Sequence, residues 1–380
     1  MTDFDRVIDR RLTGSVKWNR YPEDVLPMWV ADMDFLSPPS VTSALKKRVE
    51  QGVFGYSAPN PSLQASVCSW LKKRHNWEVS PESVVIIPNV VCGFYIAARA
   101  SASPGDFVLL QTPAYRPFFN VAPTLGLNQQ VSPLVPDSRG CFSFSSSDLT
   151  QTINPNTRVF MFCNPHNPTG RVFLTSELER IAELCLDNDI IICSDEIHSD
   201  LIYSGFHHVP MATLSPQVAE STITLISPSK TFNLAGLKTA AAIITNPELR
   251  SRFLKASQGL IGKTNSLGNL AMETAYTKSE AWLEELLAYL GRNRTFLSEF
   301  IEQELPQISL HPPQGTFLAW LDCRRAGLDS PGEYFLKHAR VAVNPGTWFG
   351  ENGKGYARLN FACPSSILEQ GLLRIKSSLE

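Results

Sequence analysis

The chain has 380 residues and a formal net charge of −2, so it lacks the basic excess with which nucleic-acid-binding proteins contact phosphates. Its content of 43% hydrophobic and 18% charged residues is typical of a globular enzyme, and its length predicts two domains or one large and one small domain. No apolar run approaches the length of a membrane span, and the charged N-terminal residues do not resemble a secretory signal, so we expect no membrane contact.

The cysteines and histidines indicate neither a disulfide framework nor a metal site. Eight cysteines are scattered, mostly among apolar neighbours, and no CxxC motif pairs them. This usage is typical of buried, reduced thiols, so we expect a cytoplasmic protein. The seven histidines include no HExxH or comparable spacing, and the adjacent His207 and His208 do not suit a common chelate. We therefore expect no bound metal.

The first segment of the chain, residues 1 to about 40, is irregular and rich in aromatic residues. Residues 26–35 read as an extended stretch that is ended by Pro38 and Pro39. Because it would be costly to expose the large apolar side chains of this stretch together, we expect it to pack across another part of the fold. Two helices follow, one with Ser40 as its N-cap and one over residues 62–75.

From residue 84 the chain alternates between apolar strands and helices. The predicted strands cover residues 84–87, 107–110, 159–162, 190–193 and 222–226. One helix is predicted over residues 90–100, and another begins with a capping box formed by Ser176 and Glu179. Continuous apolar strands separated by helices favour a largely parallel sheet that is covered on both faces. Right-handed crossovers place the carboxyl ends of such strands at one edge, where these sheets bind ligands.

Four polar side chains follow predicted strands in this region. They are Tyr115, Asn167, Asp195 and Lys230. Since the carboxyl ends of parallel strands meet at one edge of the sheet, we expect these four side chains to lie close together. Their convergence predicts a binding or catalytic site.

The pattern changes near residue 265. Two long helices are predicted over residues 267–277 and 280–305, and residues 315–321 alternate as in a half-buried strand. Two shorter apolar stretches and a final helix complete this part of the chain. These elements predict a smaller α+β unit.

The stretch Ser227–Asn233 has three alternative interpretations. Lys230 lies just past a buried strand, where a desolvated lysine is a candidate for Schiff-base chemistry with a carbonyl. Taken alone, the same lysine is more typical of a solvated surface charge. Ser227 and Lys230 also form a Ser-x-x-Lys pair, which occurs in enzymes with a serine nucleophile, although Asp195 and Asn167 would then have no role.

Several motifs together resemble a known enzyme family. The segments 164–170 (NPHNPTG), 194–198 (SDEIH) and 227–230 (SPSK) resemble fold-type-I enzymes of the class I/II aminotransferase superfamily, which use pyridoxal 5′-phosphate (PLP). The segments 29–35, 52–56, 344–346 and 358–364 resemble, more narrowly, the cystathionine β-lyase subgroup of C–S lyases. The resemblance covers nearly the whole chain.

The resemblance implies an α/β fold of two domains. The large PLP-binding domain would span residues 41–264 and contain a mostly parallel seven-stranded sheet covered by helices. The small α+β domain would combine residues 1–40 with residues 265–380. The resemblance also implies a homodimer with active sites shared between the subunits.

The same resemblance implies roles for the residues around the cofactor ring. Lys230 would bind PLP covalently and move the substrate Cα proton, and Asp195 would keep the pyridine nitrogen protonated. Asn167 would donate to the ring 3′-oxygen, and Tyr115 would stack on the ring face. Their ordinary alternatives are a turn-capping aspartate, an Asn-Pro turn residue and a core aromatic residue.

The cofactor phosphate would be bound by five residues of the chain. They are Ser227, Ser229, Lys238 and the backbone amides of Val90 and Val91 at a helix N-terminus. Two of these features depart from the family pattern. Many relatives have arginine at the position of Lys238, and many have glycine or serine where this chain has Val90 and Val91.

The remaining implied site residues contact the substrate or the partner subunit. Tyr56 would reach the phosphate of the partner subunit, and its alternative is a loop tyrosine in a local core. Arg358 would hold the substrate α-carboxylate by a two-point contact, the alternative being a surface salt bridge. Ala31 would line the same pocket through its backbone. His198 stands where many aminotransferases have a tyrosine and favours the lyase subgroup, although a structural histidine is the alternative.

The implied function is that of a PLP-dependent C–S β-lyase. It would convert L-cystathionine or related S-substituted cysteines to a thiol, pyruvate and ammonia. An aminotransferase that uses the same residues is an alternative, since both reactions begin with removal of the Cα proton. A regulatory protein that binds a partner with this fold is a third alternative, which the presence of Lys230, Asp195 and Arg358 disfavours.

Overall fold

The structure is a computed structural model, and it describes residues 2–56 and 60–380. The strands are β1 Leu26–Pro27, β2 Val84–Ile87, β3 Phe107–Thr112, β4 Asn128–Pro133, β5 Val135–Pro136, β6 Phe142–Ser143, β7 Thr157–Cys163, β8 Ile191–Asp195, β9 Thr222–Ile226, β10 Ala240–Ile243, β11 Ser309–Leu310, β12 Leu318–Asp322, β13 Val341–Ala342, β14 Asn344–Pro345 and β15 Tyr356–Asn360.

The α-helices are α1 Val16–Asn19, α2 Pro39–Glu50, α3 Pro61–His75, α4 Val90–Ser101, α5 Pro117–Leu125, α6 Ser146–Thr152, α7 Thr175–Asp187, α8 Pro216–Glu220, α9 Pro228–Thr231, α10 Pro247–Ser257, α11 Ser266–Lys278, α12 Glu280–Glu304, α13 Pro331–Tyr334 and α14 Ser365–Leu379. Short 3₁₀ helices lie at Arg11–Thr13, Pro81–Ser83, Met211–Thr213, Ala235–Leu237, Arg324–Ala326, Gly346–Phe349 and Glu351–Gly353, and a π turn lies at Phe335–Ala339.

A sheet of seven strands, within the described residues, forms the centre of the molecule. Its strand order is β2-β10-β9-β8-β7-β3-β4. The strands from β9 to β4 pair in parallel, and β10 is antiparallel to both of its neighbours. Successive side chains of β3 point to opposite faces. Val108 and Leu110 therefore pack in one apolar core with α4, α5 and α10, and Leu109 packs in another with α6 and α7. The predicted mostly parallel seven-stranded sheet is confirmed.

A second, four-stranded sheet lies in the C-terminal part of the chain. Its order is β11-β12-β15-β14, and all its pairs are antiparallel. The expectation of a half-buried strand at residues 315–321 is wrong, because Leu318 to Leu321 in β12 are all buried. Both faces of this strand are covered, so the burial of its side chains does not alternate. The smaller sheet-containing unit of the expected fold is confirmed.

The N-terminal arm, defined here as residues 26–35, crosses between these two parts as the sequence predicts. Its strand β1 pairs in parallel with β13, with Leu26 opposite Val341. The side chains of Met28, Met33 and Phe35 are buried in the main apolar core. The domain boundaries at residues 40 and 264 stay a prediction.

Most predicted elements lie within a few residues of the observed ones, but two helix starts differ. Helix α2 begins at Pro39, so Ser40 lies inside its first turn and its hydroxyl pairs with that of Ser279 at 2.8 Å. Helix α7 begins at Thr175, and the carboxylate of Glu177 accepts from the amide of Leu174, the residue before the helix, at 2.9 Å. The predicted capping roles of Ser40, Ser176 and Glu179 are therefore wrong. Among the described residues, no helix is long and apolar enough to cross a membrane.

Candidate active site

A cavity of about 410 Å³ lies at the carboxyl edge of the large sheet. Twelve of the thirteen predicted site residues line it, and they come from seven separate regions of the chain. They are Ala31, Val90, Val91, Tyr115, Asn167, Asp195, His198, Ser227, Ser229, Lys230, Lys238 and Arg358. The convergence that the strand pattern predicts is therefore present. Tyr56 is the predicted residue that does not line this cavity.

Lys230 lies on α9, a single turn that follows β9 directly. The turn is capped by Ser227, whose Oγ accepts from the amide of Ser229 at 3.1 Å. The Nζ of Lys230 donates to the carbonyl oxygen of Ala31 at 2.6 Å. Burial, reinforced by the positive charge of Arg358, lowers the pKa of Lys230 to about 8. An amine with this pKa is deprotonated in a sizeable fraction of molecules near neutral pH, as a nucleophile or base requires.

Asp195 is the last residue of β8 and is only 3% exposed. Its Oδ1 accepts from the amide of Ile197 at 3.2 Å. Burial raises the pKa of Asp195 to about 7, although the Ile197 amide and the charge of Lys230 act in the opposite direction. A carboxylate with this pKa is well suited to share a proton with a basic ring nitrogen. The pairing of Asp195 with the cofactor ring nitrogen stays a prediction.

Arg358 is a buried cation in the middle of β15. Its two terminal nitrogens donate to the side-chain oxygens of Asn167 at 2.8 Å and Asn344 at 2.6 Å, and to the carbonyl oxygen of Trp29 at 3.0 Å. Its Nε has no hydrogen-bond partner among the described residues, and none of their carboxylates forms a salt bridge with it. Burial lowers the pKa of Arg358 to about 10. A buried guanidinium without a carboxylate partner favours an anionic ligand.

Asn167 and Asn344 connect Arg358 to the rest of the cavity. Because the Oδ1 of Asn167 accepts from Arg358, its amide nitrogen remains able to donate into the cavity. Asn344 lies opposite Arg358 in the pairing of β14 with β15, which explains their contact. The surrounding bonds therefore orient Asn167 as a donor, which is the role predicted for it.

One end of the cavity is rich in hydrogen-bond donors. The N-terminus of α4 lines it, and the Asn89 side chain accepts only from the amide of Cys92, at 2.9 Å. The amides of Val90 and Val91 have no acceptor within the helix and can bind an anion. The side chain of Lys238 adds a positive charge, and Ser229 adds a hydroxyl group.

The hydroxyl group of Ser227 is arranged differently from the prediction that it binds the phosphate. It donates its single proton to the carbonyl oxygen of Thr239 at 2.7 Å. In this arrangement Ser227 caps the turn that carries Lys230 and has no proton left for an anion.

His198 and Tyr115 line the cavity as buried or half-buried rings. His198 is 1% exposed, and its Nδ1 has no partner among the described residues. Burial and the charges of Lys230 and Arg358 hold the pKa of His198 well below its usual value, so the ring is neutral near pH 7. Burial, with the nearby charge of Asp195, raises the pKa of Tyr115. Tyr115 is therefore a neutral phenol that can donate a proton.

Tyr56 lies outside the cavity and is 99% exposed. Its neighbours Val53 and Phe54 are also exposed. The alternative that Tyr56 packs in a local core is therefore wrong for this chain. Its contact with a partner subunit stays a prediction.

Sequence reasoning missed several residues that line the cavity. They are Trp29, Val30, Asn89, Arg116, Pro117, Ile197, Ala235, Thr239, Asn344, Trp348 and Phe349. Five of them had a readable signal, since Arg116 follows Tyr115 and the other four belong to motifs of the resemblance. These four are Trp29, Val30, Ile197 and Asn344. Trp348 and Phe349 had none, because they reach the site through the packing of the small sheet.

The donors and charges of the cavity fit a planar, anionic ring compound such as PLP. Two orphaned buried nitrogens, Nδ1 of His198 and Nε of Arg358, lack partners within the described chain. Asp195 suits a ring nitrogen, and the donors around α4 suit a phosphate. Among the described residues, no group of three or more His, Cys, Asp or Glu side chains could hold a metal ion.

Comparisons with known proteins agree with this description. The sequence profile of the family described as aminotransferase class I and II matches residues 23–375. The chain is 39% identical to cystathionine beta-lyase PatB of Bacillus subtilis over 99% of this chain and 100% of that protein.

Two solved structures are also similar. Cystalysin from Treponema denticola, which contains a pyridoxal 5′-phosphate cofactor, has a TM-score of 0.96 at 33% identity, covering 100% of this chain and 99% of that one. The PLP-bound C–S lyase from Staphylococcus hominis has a TM-score of 0.94 at 33% identity, covering 100% and 98%. The chain belongs to the family of class I and II aminotransferases, and the predicted resemblance is confirmed.

Proposed function

We propose that this member of the class I and II aminotransferase family is a PLP-dependent C–S β-lyase. Its substrates would be L-cystathionine or related S-substituted L-cysteines, and its products a thiol, pyruvate and ammonia. The observation that carries this proposal is one cavity that is lined by both Lys230 and Arg358. Lys230 is a desolvated amine, and Arg358 is a buried cation with which no carboxylate of the described residues forms a salt bridge. The similarity to a cystathionine β-lyase and to two C–S lyase structures supports the choice of reaction.

We propose that PLP is held at three points of the cavity. Asp195 would bind the pyridine nitrogen, Asn167 would donate to the ring oxygen, and Lys230 would attach the cofactor covalently. The phosphate would lie at the N-terminus of α4, with Ser229 and Lys238 as further donors. When bound, PLP supplies an electron sink for the charge that develops at the substrate Cα.

The residues of the chain would position the substrate and move its protons. Arg358 would bind the α-carboxylate, for which its Nε is a donor without a partner among the described residues. Once the substrate amino group has displaced Lys230 from the cofactor, the free amine would remove the Cα proton, which its lowered pKa permits near neutral pH. The thiolate would leave from Cβ and take a proton from Tyr115 or Lys230. The remaining enamine product would hydrolyse to pyruvate and ammonia.

The assay that tests this function follows both possible reactions of one substrate. The purified protein with PLP is incubated with L-cystathionine, and pyruvate and free thiol are measured. We expect equal amounts of the two products. In a second assay with 2-oxoglutarate, glutamate formed from an amino-acid donor without any pyruvate would overturn the lyase and support an aminotransferase. An aminotransferase is the alternative function to be tested, because its first steps would use Lys230, Asp195 and Arg358 in the same way.

We further propose that the protein is a homodimer with shared active sites. The support is the full exposure of Tyr56 beside the exposed Val53 and Phe54, since these side chains do not line the cavity of their own chain. In a dimer, Tyr56 would reach the cofactor phosphate of the partner subunit.

Mixing two inactive variants tests this arrangement. Tyr56→Ala and Arg358→Ala subunits, unfolded together and refolded, would form dimers in which one of the two sites is intact. We expect up to about a quarter of the wild-type activity. No recovery in a mixture that is shown to contain mixed dimers would exclude shared sites.

The domain division and the cellular compartment are also proposals. The separate four-stranded sheet and the pairing of β1 with β13 support grouping residues 1–40 with 265–380 apart from 41–264. The eight cysteines are all free and five are buried, which supports a reducing compartment such as the cytoplasm.

A further inference from the structure

Arg116 is a charged residue at the cavity that none of the roles above uses. It precedes α5, lines the cavity and is exposed to solvent. Its guanidinium carbon lies 5.4 Å from the ring centroid of Trp348, which is 37% exposed. No carboxylate of the described chain forms a salt bridge with it. The contact with the Trp348 ring holds the guanidinium of Arg116 at the edge of the cavity.

The position of Arg116 parallels that of Arg358. The guanidinium carbon of Arg358 lies 4.8 Å from the ring centroid of Phe349, the residue that follows Trp348. Both rings belong to the single-turn helix Gly346–Phe349. The amide of Ala114 donates to the carbonyl oxygen of Phe349 at 2.7 Å, which ties the two segments together. The cavity therefore presents two guanidinium groups above two consecutive aromatic residues.

The charges that line the cavity are unbalanced. Among the described residues that line the cavity, the cations are Lys230, Lys238, Arg116 and Arg358, and Asp195 is the only carboxylate. A PLP phosphate at Lys238 and a substrate α-carboxylate at Arg358 would supply anions for two of them. Lys230 would use its nitrogen for the cofactor and the proton transfer, so it is not available to a further anion. Arg116 then remains as a cation without an anionic partner, next to the site of the substrate.

We infer that Arg116, held over Trp348, binds a carboxylate on the sulfur-bound substituent of the substrate. The Trp348 ring would contact the methylene groups between the sulfur and that carboxylate. The inference rests on the proposed function and narrows its substrate class. The enzyme prefers cysteine thioethers with a carboxylate on the leaving group, such as cystathionine, over thioethers with a neutral alkyl group.

Ligand binding tests this inference without any reaction. L-2-Aminopimelate and L-2-aminoheptanoate have the chain length of S-(2-carboxyethyl)- and S-propyl-L-cysteine but no sulfur to eliminate. We expect the PLP-loaded wild-type protein to bind the aminopimelate about 10-fold more tightly. Arg116→Gln abolishes this preference, and Arg116→Lys keeps part of it because it keeps the charge. Arg325→Gln, which removes an exposed arginine outside the cavity, leaves the preference unchanged.

Kinetics with the two matching thioethers provide the second measurement. In Arg116→Gln, we expect kcat/KM for S-(2-carboxyethyl)-L-cysteine to fall about 10-fold further than for S-propyl-L-cysteine, mainly through KM. An equal fall for both substrates would show that Arg116 only supports the structure. Equal binding of the two ligands by the wild type would also overturn the inference.

The failure of the proposed lyase function is distinguishable from the failure of this inference. If neither thioether releases pyruvate, the lyase proposal is wrong. The binding preference between the two sulfur-free ligands, and its loss in Arg116→Gln, then still reports on Arg116 alone.

Discussion

The cavity has two walls that are built in different ways. The sheet wall consists of Asp195, Ser227 and Lys230, which lie at or just after the ends of β8 and β9. Asp195 and Ser227 each accept from a backbone amide two positions away. The arm wall consists of Trp29–Ala31, Asn344 and Arg358. Its bonds join distant parts of the chain, such as Arg358 to the carbonyl of Trp29. The first wall is local in sequence, and the second exists only in the folded chain.

The two walls therefore have different proposed roles, one in the reaction and the other in positioning the substrate. The sheet wall carries the groups proposed to react, on short segments that the strands fix. The arm wall carries the group proposed to hold the substrate, and its carbonyl at Ala31 accepts from Lys230. A change in the sheet wall should therefore abolish the reaction, whereas a change in the arm wall should weaken substrate binding and leave the cofactor in place.

The largest expected effect is the loss of Lys230. In Lys230→Ala, we expect kcat to fall at least ~1,000-fold, because the proposed base and the covalent attachment point are both removed. The absorption band of the covalently bound cofactor disappears, and dialysis removes the cofactor. Lys354→Ala, at an exposed lysine that pairs with Asp329, is the control. A spectrum of Lys230→Ala that stays unchanged after dialysis would refute the attachment.

The second effect concerns the arm wall and has a different signature. In Arg358→Gln, we expect kcat/KM to fall about 100-fold, because a desolvated two-point contact with the α-carboxylate is lost. Arg358→Lys should recover little, since one ammonium group cannot reproduce the fork of the guanidinium. The cofactor band should remain in both variants. If the band is lost as in Lys230→Ala, the two walls do not have separate functions.

The same difference explains which parts of the site the sequence predicts. Asp195 and Lys230 could be located because each follows an apolar strand, and the ends of parallel strands meet. Arg358 was reached only through the resemblance, since nothing local indicates that its strand faces the large sheet. Trp348 and Phe349 were missed for the same reason. Their position depends on how the four-stranded sheet packs against the large one.

The hydrogen bonds of the serine side chains were the other feature that the sequence did not predict correctly. Ser40 and Ser176 have the residue type of an N-cap. However, α2 begins at Pro39 and α7 at Thr175, so each serine lies inside the first turn of its helix. Ser227, predicted as a phosphate donor, instead gives its proton to Thr239. A hydroxyl group has several acceptors within reach, and only the folded backbone selects among them.

The third prediction tests whether the arm wall depends on its buried supports. The Asn360 side chain donates to the carbonyls of Val30 at 2.6 Å and Asp32 at 2.7 Å, and it accepts from the amide of Ala362 at 2.8 Å. In Asn360→Ala these buried groups lose their partner, which should cost about 2–3 kcal/mol of unfolding free energy. Because the arm would shift, we also expect KM to rise about 10-fold.

A second buried asparagine provides the matched control for this variant. Asn293 donates to the carbonyls of Phe361 at 3.0 Å and Cys363 at 2.8 Å but does not bond to the arm. Asn293→Ala should therefore lower stability by a similar amount, measured by chemical denaturation, and leave KM near the wild-type value. An equal rise of KM in both variants would show that lost stability alone weakens binding.

The smallest expected effect is a dependence of stability on pH that belongs to the sheet wall. Since burial raises the pKa of Asp195 to about 7, the folded cofactor-free protein keeps a proton that the unfolded chain releases near pH 4. This contribution to stability is fully present below the unfolded pKa and is lost as the pH rises through about 7. Asp195→Asn removes the titration while keeping the shape of the side chain.

We therefore compare the melting temperatures of the cofactor-free wild type and Asp195→Asn from pH 5 to pH 8. The melting temperature of the variant minus that of the wild type should increase by at least about 2 °C as the pH rises over this range and then level off. Groups that do not interact with Asp195, such as the buried His198, titrate equally in both proteins and cancel in the difference. A change in the titration of Lys230 is part of the Asp195 effect, because the two charges interact. A constant difference would mean that Asp195 is ionised throughout, and that its buried charge is balanced by Lys230. We expect no such pH dependence of stability from Arg358 in the arm wall, because this residue stays protonated from pH 5 to pH 8.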